Sequence, residues 1–315
     1  MRREAIEELL TYGGVSPHPK DIDAFWDDAL KELQSIDPAP IITPAGVETP
    51  YAAGYDLYFT GTKNARIHAK LLRPRVSTGA ALLMFHGYRS NSGLWLDKLP
   101  YAALGMTVAA MDCRGQGGKS QDMGVYPGNT QFGHFLRGVE DGKNALLFRD
   151  IMLDTVQLYR VVAGLDGVDA ARIGAFGGSQ GGGLALACAS LVPVLARVAV
   201  AYPFLSDYRL VWQMDGGGIA CAEMREYFRK FDARHLDEDA FFTTLSYIDI
   251  QNMTHRIRGK TMMGTGLQDI VCPARAQFAA YNPITAEKNY QLYFDYGHEA
   301  LDTYLDDVFA FMQQL

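Results

Sequence analysis

Downstream of residue 55, short unbroken apolar runs alternate with stretches whose apolar positions recur every three or four residues. The runs occupy 80–85, 107–111, 172–176, 198–202, 261–264 and 290–294, and each stops at or near Gly, His, Asp or Pro. A strand buried on both faces loses the in–out alternation of a half-exposed one, so these runs predict strands in the middle of a sheet. The intervening stretch 148–163 carries Ile151, Thr155, Leu158 and Val162 on one stripe and predicts a helix. Strand, helix, strand, repeated in this way, predicts a mostly parallel sheet with helices on both faces, an α/β fold. Ahead of it, Leu57-Tyr58-Phe59 and 66–72 predict early antiparallel strands. Segment 21–36 predicts an N-terminal helical extension over the sheet, with Ile22, Phe25, Trp26, Ala29 and Leu33 on one face. Segment 206–258 is too long for a simple connection. It is rich in Trp212, Met224, Phe228, Phe241 and Phe242, which predicts a helical insertion packed on the body and partly walling a pocket. No repeat, low-complexity tract or linker interrupts the chain, so 1–315 is expected to be a single domain.

Composition narrows the classes. With 315 residues and 48% of them hydrophobic, the chain has material for one large core or two modest ones. A formal charge of −7 argues against nucleic acid or an anionic membrane as partner. No apolar run reaches the length of a membrane span. The opening MRREAIEELLTYGG lacks the apolar stretch of a secretory signal, because Glu4, Glu7 and Glu8 interrupt it, and so reads as a cytoplasmic start. Cys113, Cys188, Cys221 and Cys272 form no CxxC pair, so no metal site and no disulfide framework is expected. Cys113 and Cys188 read as small core residues.

Chemistry enters at Gly177-Gly178-Ser179-Gln180-Gly181, a match to G-x-S-x-G. The bare pattern is weak. Its setting is not: the apolar run 172–176 leads in and the helix-like run 182–191 leads out. Strand, tight turn and helix in this order make the nucleophile elbow of the α/β-hydrolase fold. The glycines flank a serine held in a strained backbone, where strand and helix approach closely, and the helix start supplies unpaired N–H groups. A phosphate-binding loop would need a lysine that is missing here.

A serine nucleophile needs a base, and this fold orders its triad Ser, acid, His. His298 lies between the last strand-like run and the last helix-like stretch, 301–315, where the fold delivers its histidine. His235 and His255 sit among charged residues and read as surface positions. Asp269 follows the run 261–264 and is the expected acid. Asp207, one strand earlier, is the alternative, and Asp295 is too near His298 in sequence to serve. The N–H of Gln180 and the N–H of Tyr88, in the loop opened by His86, are the expected oxyanion donors. His86 itself reads as an organiser of that loop. Tyr88 on one side and Phe204 on the other would leave an acyl group room for little more than a methyl, with Trp212 as a further wall.

With these residues placed, the chain resembles carbohydrate esterase family 7, acetyl xylan esterases that also act as cephalosporin C deacetylases. Three motifs carry the resemblance: Arg114-Gly115-Gln116, the extended Gly178-Ser179-Gln180-Gly181-Gly182-Gly183, and His298-Glu299. His86-Gly87-Tyr88, Tyr202-Pro203-Phe204-Leu205 and Asp23-Ala24-Phe25-Trp26 add to it, so it spans nearly the whole chain. It implies removal of acetyl groups from short acetylated saccharides and small acetyl esters without a cofactor. It implies Ser179, Asp269 and His298 as triad, with Tyr88 and Gln180 lining the oxyanion hole. It also implies a hexameric ring with active sites facing an internal cavity, for which the long segment 121–142 could supply contacts. The chain departs from the family at Arg89-Ser90-Asn91-Ser92, where many members are glycine-rich. Arg114 reads as structural, paired with a carboxylate. Two other readings compete. A serine peptidase of this fold would need a filtering domain for which the chain has no room. A non-catalytic binding module would not need all three triad positions filled.

Overall fold

The computed structural model describes residues 2–124, 134–214 and 218–315. Nine strands form one sheet: β1 (Ile41–Glu48), β2 (Ala52–Thr60), β3 (Arg66–Pro74), β4 (Gly79–Phe85), β5 (Thr107–Met111), β6 (Val168–Gly178), β7 (Arg197–Ala201), β8 (Lys260–Gly266) and β9 (Lys288–Tyr293). Their spatial order is β1-β2-β3-β5-β4-β6-β7-β8-β9. The first three pair antiparallel with their neighbours, and every pairing from β5 across to β9 is parallel.

The unbroken apolar runs resolve into alternation onto two cores. In β4, Ala81, Leu83 and Phe85 face one cluster while Ala80 and Leu82 face the other; in β5, Ala109 and Met111 oppose Val108. The helices are α1 (Arg2–Thr11), α2 (Ile22–Gln34), α3 (Leu99–Ala103), α4 (Leu147–Ala163), α5 (Gln180–Leu191), α6 (Tyr208–Gln213), α7 (Ile219–Phe231), α8 (Glu238–Leu245), α9 (Ala274–Tyr281) and α10 (Tyr304–Met312). Buried residues of α2, α4, α5, α8 and α9 fill the larger cluster, and those of α3 and α10 fill the smaller one. No described helix is long and apolar enough to cross a membrane.

The predicted N-terminal helix is α2. Its Trp26 is fully buried and donates its indole N–H to the Tyr247 carbonyl at 3.1 Å, tying α2 to the insertion. The insertion holds α6, α7 and α8, packed through contacts such as Phe228–Phe241 and Phe241–Phe242. β1 was not predicted. It is an edge strand with most residues exposed, and it carries Pro44 and Gly46 at a register break between Pro44 and Val47. Proline and glycine are tolerated there because an edge strand need not donate on both sides. Of the segment 121–142, residues 125–133 lie outside the described residues.

Candidate active site

β6 ends at Gly178, α5 begins at Gln180, and Ser179 between them has φ 55° and ψ −125°. A non-glycine residue rarely holds such a conformation, which costs on the order of 1–3 kcal/mol and persists only when its surroundings impose it. Here the Ser179 N–H donates to the Ala201 carbonyl at 3.0 Å, and its own carbonyl accepts from Gly183 and Phe204 at 3.1 and 2.9 Å. The flanking glycines are required by contact. A Cβ on Gly177 would stand 2.3 Å from the Gly181 backbone, and one on Gly181 would stand 2.0 Å from the Phe85 carbonyl oxygen.

His298 follows β9 in a turn closed by the Gly297 N–H donating to Glu299 Oε1 at 3.0 Å. Its Nε2 lies 3.1 Å from Ser179 Oγ and its Nδ1 lies 2.8 Å from Asp269 Oδ2. A carboxylate can only accept, so the proton sits on Nδ1 and leaves Nε2 free to take the serine proton. Asp269, just past β8, is fixed from behind: its Oδ1 accepts the N–H groups of Val271 and Cys272, both at 2.8 Å. The two loops are joined by the Gln268 N–H on the Tyr296 carbonyl at 2.9 Å. The carboxylate is buried, while His298 keeps 24% of its side chain exposed, so one face of the imidazole remains open to a ligand.

The other sequence candidates separate cleanly. Asp207 is also buried, but its carboxylate accepts from Tyr12 Oη at 2.6 Å and from the Ser16 N–H at 2.9 Å. It holds the N-terminal segment rather than a histidine. Asp295 is exposed. His235 and His255 are on the surface as expected, paired with Glu238 and Asp23. Arg114 is buried in a two-pronged pair with Asp154 at 2.5 and 2.6 Å. Burial pushes Asp154 up to about 6 against the pull of that guanidinium. Asp269, Cys272 and His298 bring ligand-type atoms within 4.8 Å of one another. The carboxylate and imidazole are already bonded to each other and burial pushes the thiol up, away from the thiolate a metal would need, so the trio suits a metal poorly.

A cleft of ≈ 550 Å³ opens over Ser179 and His298. Tyr88, Phe135, Tyr202, Phe204 and Val271 wall it. Phe204 is where the sequence placed it. Trp212 is a correction: it is not among the described lining residues and packs instead on Phe228 and His235 at centroid distances of 5.0 and 5.8 Å. Phe135, Tyr202 and Val271 were missed. Tyr202 could have been found, since it ends the strand next to the elbow and its ring meets His298 at 4.8 Å. Nothing in the sequence marks Phe135.

The N–H groups of Tyr88 and Gln180 have no acceptor among the described residues; Tyr88 lines the cleft, and Gln180 follows Ser179 directly as the first residue of α5. His86 arranges the Tyr88 loop. Its Nδ1 donates to the Gly87 carbonyl at 2.8 Å and its Nε2 accepts the Cys113 N–H at 2.9 Å. These contacts require a neutral ring, and burial lowers its pKa in the same sense. The Tyr88 phenol donates to buried Glu223 of α7 at 2.6 Å, a partner the sequence did not reveal. Burial, and then Glu223, push that phenol well above its ordinary value, so it stays protonated as the donor.

Comparison with known proteins places this geometry. The model of the family described as acetyl xylan esterase (AXE1) matches residues 3–315. The acetyl esterase Axe7A of Xylanibacter ruminicola is 25% identical over 284 residues, which are 86% of this chain and 61% of that protein. The chain thus spans about three fifths of that curated relative. Among solved structures, acetyl xylan esterase 1 from Thermoanaerobacterium sp. JW/SL YS485 is 48% identical, with 98% of each chain covered and a TM-score of 0.96. The acetyl xylan esterase from Paenibacillus sp. R4 is 32% identical, covers 98% of this chain and 99% of its own, and has a TM-score of 0.93.

Proposed function

The chain belongs to the acetyl xylan esterase family, and from that premise we propose that it is a cytoplasmic, single-domain serine esterase that deacetylates short xylo-oligosaccharides and small acetyl esters such as cephalosporin C. The observation that carries the reading is the hydrogen-bonded line Ser179–His298–Asp269 on the floor of the cleft. In this mechanism Ser179 Oγ attacks the acetyl carbon as its proton passes to His298 Nε2. The negative charge on the carbonyl oxygen meets the N–H groups of Tyr88 and Gln180, assisted by the positive end of α5. The imidazolium then protonates the departing sugar oxygen, leaving an acetyl-enzyme. Water repeats the sequence and releases acetate. Asp269 holds the imidazole tautomer and stabilises its cation.

The apolar walls Phe135, Phe204 and Val271 suit a methyl group, while the open side of the cleft admits alcohols of varied shape. One extra methylene in a tight pocket changes discrimination by roughly 1–3 kcal/mol. The test is a series of p-nitrophenyl esters of rising acyl length. We expect kcat/KM to fall steeply from acetate to butyrate and to be negligible at octanoate, and kcat on acetate to drop about 10³-fold or more in Ser179→Ala. A maximum at butyrate or beyond would make this a general carboxylesterase, and an active Ser179→Ala would remove the serine mechanism.

A further inference from the structure

Arg114-Gly115-Gln116 sits in the turn after β5, and its two long side chains go opposite ways. Arg114 turns into the core to Asp154. Gln116 turns toward the loop after β4 and the start of α5. Its Oε1 accepts the Arg89 N–H at 2.7 Å and Gln180 Nε2 at 3.2 Å, and its Nε2 donates to Gln180 Oε1 at 2.8 Å. A backbone N–H can only donate, so the Arg89 contact fixes which end of the amide is oxygen, and the pairing with Gln180 follows. Gln180 Nε2 also reaches the His86 carbonyl at 3.3 Å, and the neighbouring Gly117 N–H donates to the Ser90 carbonyl at 2.9 Å. Arg89 is held at φ 62°, a conformation a non-glycine residue keeps only under constraint. The side chain of Gln180 is fully buried and that of Gln116 is half-buried, so one half of this amide pair is shielded from water.

We propose that Gln116 is a positioning residue for the oxyanion hole, the side chain that clamps the Tyr88–Arg89 loop to the first residue of α5. The two N–H groups assigned to the oxyanion come from chain segments far apart in sequence, and Gln116 bonds to each segment, at the Arg89 N–H one residue past Tyr88 and at the side chain of Gln180. Glu223 holds the phenol end of Tyr88 from the opposite side, so the loop is fixed at two points. Displacing a donor by about 1 Å is enough to lower a rate by roughly 10²-fold, because the stabilising hydrogen bond forms only at the transition-state geometry. Gln116 touches no reacting atom; its effect runs through Tyr88 and Gln180. This inference rests on the acyl-transfer reading above.

The experiment measures kcat and KM on p-nitrophenyl acetate together with the inhibition constant of phenylboronic acid, whose tetrahedral adduct with Ser179 places an oxygen in the hole. Gln116→Leu and the near-isosteric Gln116→Met are compared with wild type and Ser179→Ala, with thermal unfolding to establish that each variant is folded. We expect kcat to fall about 10- to 100-fold and boronate affinity to fall by a similar factor, with KM within about 3-fold. A purely structural role would lower the melting temperature without this split. Unchanged kcat and boronate affinity in folded Gln116→Met, or a rise in KM alone, would overturn the inference. The variant Gln116→Met carries the test if Gln116→Leu does not fold. If wild type binds phenylboronic acid no better than Ser179→Ala does, the acyl-transfer reading fails instead, and the two failures are told apart.

Discussion

Asp269 and Asp207 are both buried aspartates beyond the ends of neighbouring strands, and what their carboxylates face separates them. Asp269 faces an imidazole; Asp207 faces a phenol and two backbone N–H groups of the N-terminal segment. Asp269→Asn keeps the shape but favours the wrong histidine tautomer, so kcat should fall by about 10⁴-fold with the fold intact. Asp207→Asn should leave kcat within a few-fold and lower stability by about 1–3 kcal/mol, the cost of weakening buried hydrogen bonds. Steady-state kinetics and urea unfolding on the two variants measure this directly. The reverse pattern would make Asp207 the acid.

At the scale of elements, the elbow works because β4, β6 and α5 meet without side chains between them. Gly181→Ala would push a methyl group against the Phe85 carbonyl oxygen, a backbone atom that cannot step aside. We expect a loss of about 1–3 kcal/mol from overpacking, together with lower activity as α5 and its first N–H move. Thermal unfolding beside kcat separates the two effects. The start of the insertion is tied to its far end through a buried carboxylate. Asp249 accepts the N–H groups of Asp207 and Tyr208 at 3.0 and 3.4 Å, and burial, then Asp207, pushes it up to about 7. A carboxyl raised in the folded state binds more protons than in the unfolded chain. Its contribution is therefore full below about pH 4 and is lost as pH rises through about 7. Asp249→Asn should flatten the decline in unfolding midpoint between pH 4.5 and 7.5. An unchanged slope would mean that Asp249 ionises at its ordinary pKa.

Across the whole molecule, the sheet has one edge that invites association. β1 leaves Ile41 and Ile42 49% and 38% exposed at a sheet edge with no neighbouring strand among the described residues, an edge that natural proteins commonly cover. We propose the closed hexamer that the sequence resemblance implies, and a ring that covers such an edge would remove this exposure. Light scattering at micromolar concentration should give a mass six times that of the 34.8 kDa chain. A monomer would contradict it. A hexamer would leave the acyl-length profile unchanged unless neighbouring subunits wall the cleft.

The sequence by itself determined the parallel half of the sheet and singled out Ser179 and His298, which the fold brings to 3.1 Å from each other. Strands buried on both faces must be apolar throughout, and a Cβ on Gly181 would stand 2.0 Å from the Phe85 carbonyl oxygen, which excludes any side chain, so these constraints write themselves into a few adjacent residues. Asp269 was legible from its place after β8, because chain order along a parallel sheet sets which loops share an end. Tertiary structure alone decided the rest. β1 has no apolar signature because an edge strand packs little. Trp212 and Phe204 look alike as large aromatics near one another, and only the fold turns Phe204 into the cleft and Trp212 onto Phe228. Phe135 and Glu223 reach the site from distant segments, Glu223 across 135 residues to Tyr88, and no local pattern marks a side chain whose partner is so far along the chain.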